Sequence, residues 1–352
     1  MSVLLTAEAE RRYIQAIFAA LGASEEEGAA VAEALTEGDL RGHSSHGLIR
    51  VPLYVNLLRS GRLQPQARPR IVQERAAALL MDGDRALGPY AALIATYEAM
   101  ARARGTGVAA VALYNCGHIG LAGYYVELAA REDLIGILFG KAEAMVHPYG
   151  GAEPLLGTNP ISIAVPTTGD PVLLDMATSA TSHGKLREAA AAGRPLPEGW
   201  AIDATGAPTT DPAAALRGAL SPVGGAKGYG LALAVELLAG VLTGAGAGVM
   251  RDASGWRKLW GALVVVLDPA AFTDVAAFKA AVSAYLAEIK RARLAPGFTE
   301  ILVPGERSYR TRRERLAAGI PIADGVWEEV ARLARELGVA PERYRAEAPE
   351  PR

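Results

Sequence analysis

Residues 108–123, VAAVALYNCGHIGLAG, run from a β-rich segment through a glycine turn into a helix. This stretch decides the fold class. A dinucleotide-binding Rossmann unit has G-x-G-x-x-G at such a turn and an acidic residue about 20 positions later. Here the glycines stand at 117, 120 and 123, so the spacing is G-x-x-G-x-x-G and the Rossmann fingerprint is absent. The turn still presents backbone N–H groups at a helix start, where phosphate is favoured. His118 sits on it.

On either side the texture is that of an α/β domain. Upstream, residues 76–81 read as a strand and 89–103 as a helix. Downstream, a helix over about 120–131 is followed by strands at 134–139, 161–165, 172–175, 260–267 and 300–303, with a helix over 274–293. Residues 195–211 read as loop, and Asp211-Pro212 as a helix start. The first sixty residues are helical instead. Tyr13, Ile14, Ile17, Phe18 and Leu21 share a helix face, Ser24 and Glu27 form a capping box, and 48–58 is an amphipathic run ended by Gly61. The expected organisation is a helical unit over 1–69 and an α/β domain over 70–305, with a subdivision near 195–225 left open. A C-terminal helical segment over 306–352 is expected to pack on the N-terminal unit.

Composition excludes several function classes. Net charge is −2, so no electrostatic footprint for nucleic acid is present. The one cysteine, Cys116, rules out an internal disulfide and a Cys-based zinc site, which fits the cytoplasm. The longest apolar run, 228–249, contains Glu236, and a charge at the centre of a membrane span costs about 3 kcal/mol. The run therefore reads as a buried helix of a soluble protein.

The chemistry concentrates in Ser44-Ser45-His46-Gly47-Leu48-Ile49-Arg50. Imidazole moves protons near neutral pH. Guanidinium grips a carboxylate through two parallel hydrogen bonds. On a helix, His46 and Arg50 would share one face, and Ser45 would orient the imidazole or polarise a carbonyl. Gly42 and Gly47 each weaken a helix by roughly 1 kcal/mol, so they point to a close backbone approach. The pattern indicates acid–base chemistry beside a substrate carboxylate. His43 and His46 lack the carboxylates and spacing of a metal site, and no metal is expected. Thr158 and Asn159, and Asp175 to Thr178, place small and hydroxyl residues at sheet edges where a cofactor can lie. Lys227 stands in a glycine-rich turn without the phosphate-loop spacing, which excludes a nucleoside triphosphatase.

In order along the chain, the segments SHGLIR at 45–50, GHIGLAGYY at 117–125, PYGG at 148–151, LGTNPI at 156–161 and DMATS at 175–179 resemble the malate/L-lactate dehydrogenase family of the second type. GWAIDATGAPTTDP at 199–212, GGAKGYGLAL at 224–233 and VPGE at 303–306 continue the resemblance. This group includes sulfolactate, ureidoglycolate and diketogulonate dehydrogenases and reductases of piperideine- and pyrroline-2-carboxylate. The resemblance implies a non-Rossmann, mixed-sheet nicotinamide-binding domain with helices from both chain ends (a sulfolactate-dehydrogenase-like fold), in a homodimer. It implies His46 as proton donor with Ser45 beside it, Arg50 as substrate-carboxylate ligand, and His118 as acid/base or cofactor contact. It further implies cofactor contacts at Ile119, Gly120, Leu121, Ala122, Met176, Ala177, Thr178, Lys227, Arg307 and Arg313. Three residues depart from the common pattern: His147 before Pro148, Ile119 in place of an aromatic, and Cys116 in place of serine.

The expected reaction moves a hydride between NAD or NADP and a small 2-hydroxy/2-oxo carboxylic acid. Two alternatives stay open: reduction of a cyclic imine, and a catalytically silent nicotinamide-binding protein. Asp175 favours NAD by accepting ribose hydroxyls, whereas Arg307 and Arg313 favour the 2′-phosphate of NADP. No nucleic acid or membrane partner is expected.

Overall fold

The structure, a computed structural model, describes residues 2–250 and 260–345. It opens with β1 (Ser2–Leu5), α1 (Ala7–Ala19), α2 (Glu25–Leu40) and α3 (Val51–Arg59). Thr6 caps α1 by accepting from the Ala9 N–H at 3.0 Å. Ser24 and Glu27 close the expected capping box at α2. The Glu27 carboxylate also accepts from the N–H groups of Gln66 and Ala67, which pins the connection out of the helical unit. Tyr13, Ile14, Ile17 and Phe18 are fully buried, as their spacing predicts.

Between α2 and α3 the structure corrects the sequence reading. Residues 44–50 form two separate 3₁₀ turns, Ser44–His46 and Leu48–Arg50, instead of one helix face. The break is at Gly47, with φ −98° and ψ −144°. Its cause is tertiary. The Asp39 carboxylate takes the Leu48 N–H at 2.6 Å and fills the space where a Gly47 side chain would be, 2.0 Å from an ideal Cβ.

Then follow β2 (Arg70–Arg75), β3 (Ala78–Ala86), α4 (Gly88–Thr106), β4 (Val108–Cys116), α5 (Ala122–Arg131), β5 (Ile135–Lys141), β6 (Ile161–Val165) and β7 (Val172–Met176). α6 (His183–Ala191), β8 (Ala201–Ile202), β9 (Pro208–Thr209), α7 (Pro212–Ala215) and β10 (Ala219–Leu220) make a small outer layer. α8 (Ala226–Val235) runs on as a π-helical turn, Glu236–Val241. The chain continues with β11 (Gly261–Leu267), α9 (Val275–Arg291), α10 (Glu306–Ala318), β12 (Ile320–Ala323), α11 (Asp324–Glu336) and α12 (Glu342–Arg345).

The main sheet has the order β2-β3-β4-β11-β5-β6-β7. Only β3 and β4 are parallel; α4 is their crossover. β11 inserts between β4 and β5, antiparallel to both. Its sequence GALVVVL suits a central strand buried on both faces. This mixed sheet is not a Rossmann sheet. α4 packs on it through Ala91, Ala92, Ala95, Ala99 and Ala103, all fully buried, so helix and sheet approach closely. At the chain ends β1 pairs antiparallel with β12, and side chains of α1, α2, α3 and α11 share one core.

Other expectations shift. β3 begins after a turn at 76–77, and β2, unread in the sequence, precedes it. Residues 300–303 form no strand. The next residue, Pro304, meets the sheet edge, its carbonyl accepting from the Leu173 N–H (3.0 Å), while Glu300 accepts from Arg310. The loop 195–211 contains the β8–β9 hairpin. Residues 228–249 are not a wholly buried helix, because Leu231, Leu233, Leu237, Val241 and Leu242 are exposed.

Candidate active site

Two glycine-bearing turns bring the predicted residues together. On the first, Ser45 Oγ lies 2.9 Å from His46 Nδ1, and Arg50 Nε donates to the Ser45 carbonyl at 2.6 Å. That bond orients the guanidinium and leaves its terminal nitrogens without a partner among the described residues. The second turn, after β4, carries His118, whose ring stacks on His46 with centroids 5.7 Å apart and planes at 25°. This approach needs Gly88 at the start of α4, since a Cβ there would meet the His118 carbonyl oxygen at 2.2 Å.

The tautomer of His118 follows from its partners. Its Nδ1 accepts the Gly120 N–H at 3.1 Å. An amide N–H only donates, so the proton of the neutral ring is on Nε2. The Tyr54 hydroxyl, 3.0 Å from the same Nδ1, therefore also donates. His118 is thus arranged as a hydrogen-bond donor through Nε2. The indole of Trp260 stands edge-on to it at 6.1 Å.

Electrostatics divide the labour. Burial pushes His46 down to about 3, helped by the charges of Arg50 and His43. Burial, then Arg50 and His46, hold His118 well below its usual range. Both rings are neutral at physiological pH. Arg50 has its own pKa lowered, chiefly by burial, yet guanidinium keeps its charge. It has no carboxylate partner among the described residues. A largely buried cation without a counter-ion is costly, so this arrangement suits a site whose anion arrives with the substrate. A neutral imidazole beside that anion site can take the proton of a hydroxyl on the same small molecule.

At His43, three residues before His46, opens a cavity of about 350 Å³, lined also by Leu121, Asp175, Gly305, Arg307 and Ser308 among others. His43 Nε2 is 3.2 Å from Ser308 Oγ. Gly305 turns the chain at φ +94° and packs so closely on Leu173 that a Cβ would meet it at 2.9 Å. A nicotinamide dinucleotide brings phosphates and ribose hydroxyls. The Arg307 guanidinium, exposed and unpaired among the described residues, the Ser308 hydroxyl and the His43 ring are donors that fit such a group.

Comparison with known proteins shows the family and the fold. The family model described as malate/L-lactate dehydrogenase matches residues 5–331. The chain belongs to the malate/L-lactate dehydrogenase family. The solved sulfolactate dehydrogenase of Methanocaldococcus jannaschii superposes with a TM-score of 0.90 at 39% identity, covering 97% of this chain and 99% of that one. A malate dehydrogenase of Pyrococcus abyssi is 38% identical, with 93% of each chain covered. The ureidoglycolate dehydrogenase (NAD(+)) of Escherichia coli O157:H7 is 36% identical, covering 87% of this chain and 89% of the relative. As a member of this family the chain is a nicotinamide-dependent dehydrogenase that acts on the CH–OH group of 2-hydroxy carboxylic acids.

Within the family fold, the residues singled out from the sequence divide into three groups. Ser45, His46, Arg50 and His118 converge. Leu121, Asp175 and Arg307 line the cavity, with Gly120 and Ala122 on either side of Leu121 and Met176 and Ala177 following Asp175. Several residues are instead committed to the framework. Asn159 is fully buried: its Oδ1 accepts from the Ala142 N–H, and its Nδ2 donates to Ala232 O and Glu236 Oε2. Thr178 Oγ1 donates to the carbonyls of Thr158 and Asn159. The Ile119 carbonyl accepts from Tyr125. Arg313 pairs with Asp170 at 2.7 Å on the surface, away from the cavity lining. Lys227 is exposed in the first turn of α8 and does not line the cavity. Asp175 uses one oxygen on Ser162 Oγ (2.6 Å) and the other on the Gly123 N–H (3.0 Å), which ties β7 to α5. His147 is held between the Pro148 carbonyl and Ser221 Oγ.

Sequence reasoning missed four residues. Tyr54, four positions after Arg50, was legible only as an amphipathic-helix residue. His43 was weighed only as a metal ligand. His183 and Arg187 carried no signal at all. They reach the site because α6 starts against it: a side chain on Gly184 would touch Ser45 Cβ at 3.7 Å. The charge of Arg187 lowers Arg50, and those of Arg187 and Arg50 lower His183, after burial in both cases.

Proposed function

We propose that this dehydrogenase oxidises a small 2-hydroxy acid carrying a second anionic group, a 2-hydroxy dicarboxylate or its sulfonate analogue, to the 2-oxo acid. The observation that carries this reading is the half-buried guanidinium of Arg50, without a carboxylate partner among the described residues, near neutral His46. In this reading Arg50 holds the carboxylate next to the reacting carbon. His46 Nε2 takes the hydroxyl proton while Nδ1 donates to Ser45, and His118 Nε2–H steadies the oxygen as it becomes a carbonyl. The reverse reaction returns the proton from His46. The bound nicotinamide supplies the hydride acceptor or donor, and His43, Leu121, Arg307 and Ser308 hold the dinucleotide. Both Asp175 oxygens already have partners and Arg307 has none, which supports acceptance of NADP as well as NAD.

The second anion is assigned to Arg187, in the middle of α6, whose charge acts on Arg50 and His183. Arg187 is exposed, so its share is modest. Arg187→Gln is expected to lower kcat/KM for malate or sulfolactate about five- to tenfold and to leave lactate within twofold. Equal losses on all three substrates would refute the assignment. The test of the whole reading is reduction of NAD and NADP with malate, sulfolactate, lactate and ureidoglycolate, run beside piperideine-2-carboxylate reduction. Turnover of the imine alone would overturn it.

We further infer a homodimer. The α8 face and the π-helical turn after it expose Leu231, Leu233, Leu237, Val241 and Leu242, with Leu237 51% and Leu242 62% accessible. Exposed apolar side chains gathered on one segment of an enzyme mark a protein interface. Leu237→Glu is expected to give monomers in sedimentation at micromolar concentration. A wild-type protein that is already an active monomer would refute the dimer. The unit boundaries proposed are 1–69 with 306–352 as the helical part and 70–305 as the α/β part. No helix among the described residues is long and apolar enough to cross a membrane, and the single thiol, Cys116, is buried and pushed up to about 12 by burial. Both features suit a cytoplasmic enzyme.

A further inference from the structure

Against the loop that carries His46 and Arg50, two carboxyl groups meet in the interior. Asp39, in the last turn of α2, is 3% exposed, and Glu10, on α1, is fully buried. Among the described residues no N–H or hydroxyl donor serves either Glu10 oxygen, and the group its side chain hydrogen-bonds is the carboxyl of Asp39. Two cations face the pair. Arg11, on α1, is drawn off by Glu33 and Glu37. Arg315, on α10, gives a hydrogen bond to the Asp39 carbonyl instead of its carboxylate.

The Asp39 carboxylate has a specific load. Its Oδ2 accepts the Leu48 N–H at 2.6 Å, and the group is pressed on Gly47 so tightly that an ideal Cβ there would sit 2.0 Å from it. On the same stretch of α2, Gly38 lets the His46 carbonyl approach to 2.6 Å of where its Cβ would be. The peptide between Gly47 and Leu48 is the joint between the turn that carries His46 and the turn that carries Arg50. Whatever holds this joint sets the angle between the proton acceptor and the carboxylate ligand.

We propose that Asp39 and Glu10 share one proton and together act as a clamp on the Gly47–Leu48 joint, Glu10 being the donor to Asp39 and Asp39 the acceptor for Leu48, so that Asp39 is a positioning residue for His46 and Arg50. That these two residues do the chemistry rests on the reading given under Proposed function; the clamp itself does not. The physical reason for the shared proton is direct. Two like charges side by side in a dry interior cannot both form. Burial raises Glu10 well above the ordinary carboxyl range, with Asp39 adding to the effect. Burial likewise raises Asp39, to about 6, against the lowering influence of Glu10, the Leu48 N–H and Arg315. Once the last shared proton is lost at alkaline pH, the two charges repel, Asp39 is driven from its place, and the joint loosens.

Glu10→Gln separates this proposal from a passive packing role. Glutamine keeps a neutral donor facing Asp39 at every pH. Two readouts are needed on the full-length protein. The first is the protection factor of the Leu48 amide in hydrogen exchange across pH 6 to 10, which requires no substrate. The wild type is expected to lose at least tenfold protection toward alkaline pH, and Glu10→Gln to retain it. Equal protection profiles in the two proteins overturn the clamp. The second is the alkaline limb of kcat with the best 2-hydroxy acid, expected in the wild type and absent or shifted upward in Glu10→Gln, with kcat near pH 7 within about threefold. If exchange responds as expected and no 2-hydroxy acid is turned over, the clamp stands and the reading of the reaction falls. Asp39→Asn, which keeps an acceptor for Leu48, should preserve neutral-pH turnover. Asp39→Ala should lower it at least tenfold, with the Kd for NADH or NADPH unchanged. An Asp39→Ala protein that folds and keeps kcat within twofold also overturns the proposal.

Discussion

Replacing His46 with alanine is expected to lower kcat for 2-hydroxy-acid oxidation by about 10²-fold or more, while the Kd for NADH or NADPH, read by fluorescence, stays within twofold. General acid–base groups contribute typically 10²–10⁴-fold, and His46 is the neutral ring four residues from Arg50, its Nδ1 held by Ser45. The pH profiles should carry the same signature. In the free enzyme burial holds His46 at about 3, with Arg50 and His43 adding to the depression. Oxidation needs the neutral ring, and that ring is neutral throughout pH 5 to 9. The kcat/KM profile should therefore show no acid limb from His46 in that range. A bound carboxylate cancels the field of Arg50, so the His46 pKa rises in the complex, and kcat should show an acid limb at higher pH than kcat/KM. An alanine variant with near-normal turnover would remove His46 from the mechanism.

Arg50→Lys is expected to lower kcat/KM about 10–150-fold for the best 2-oxo acid, the equivalent of roughly 1.5–3 kcal/mol for one charge-assisted hydrogen bond. Lysine keeps the charge. It loses the Nε bond to the Ser45 carbonyl (2.6 Å) that orients the fork, and with it bidentate contact. The matching methyl ester lacks the carboxylate charge and should lose far less. Equal losses on acid and ester would make Arg50 a structural residue, and the substrate class would lose its physical support. Circular dichroism and thermal unfolding, expected to match the wild type, separate this result from misfolding.

Much of this protein is legible in the chain itself. The burial of one face of α1, the capping box of α2, the Asp211 cap and the strand–turn–helix at 108–131 all depend on residues within a few positions of one another. Periodicity and capping chemistry are local, so they can be read without the fold. The glycine spacing at 117, 120 and 123 excluded the Rossmann turn, and the ordered motifs carried the family. Sequence alone also singled out Ser45, His46, Arg50 and His118, because their side-chain chemistry suits proton transfer beside a carboxylate and the ordered family motifs gave that chemistry a context.

Only the tertiary structure decided how these groups face one another. A helix from Ser44 to Arg50 is a fair local reading, and it fails because Asp39 captures the Leu48 N–H and occupies the Gly47 side-chain position. Asp175 reads locally as a ribose acceptor, yet Ser162 and Gly123 already use its oxygens. The place of β11 between β4 and β5, and the arrival of Arg187 near Arg50, depend on contacts between segments more than a hundred residues apart. A hydrogen bond or a charge acts through space, and no pattern along the chain records which distant group folding will bring within reach.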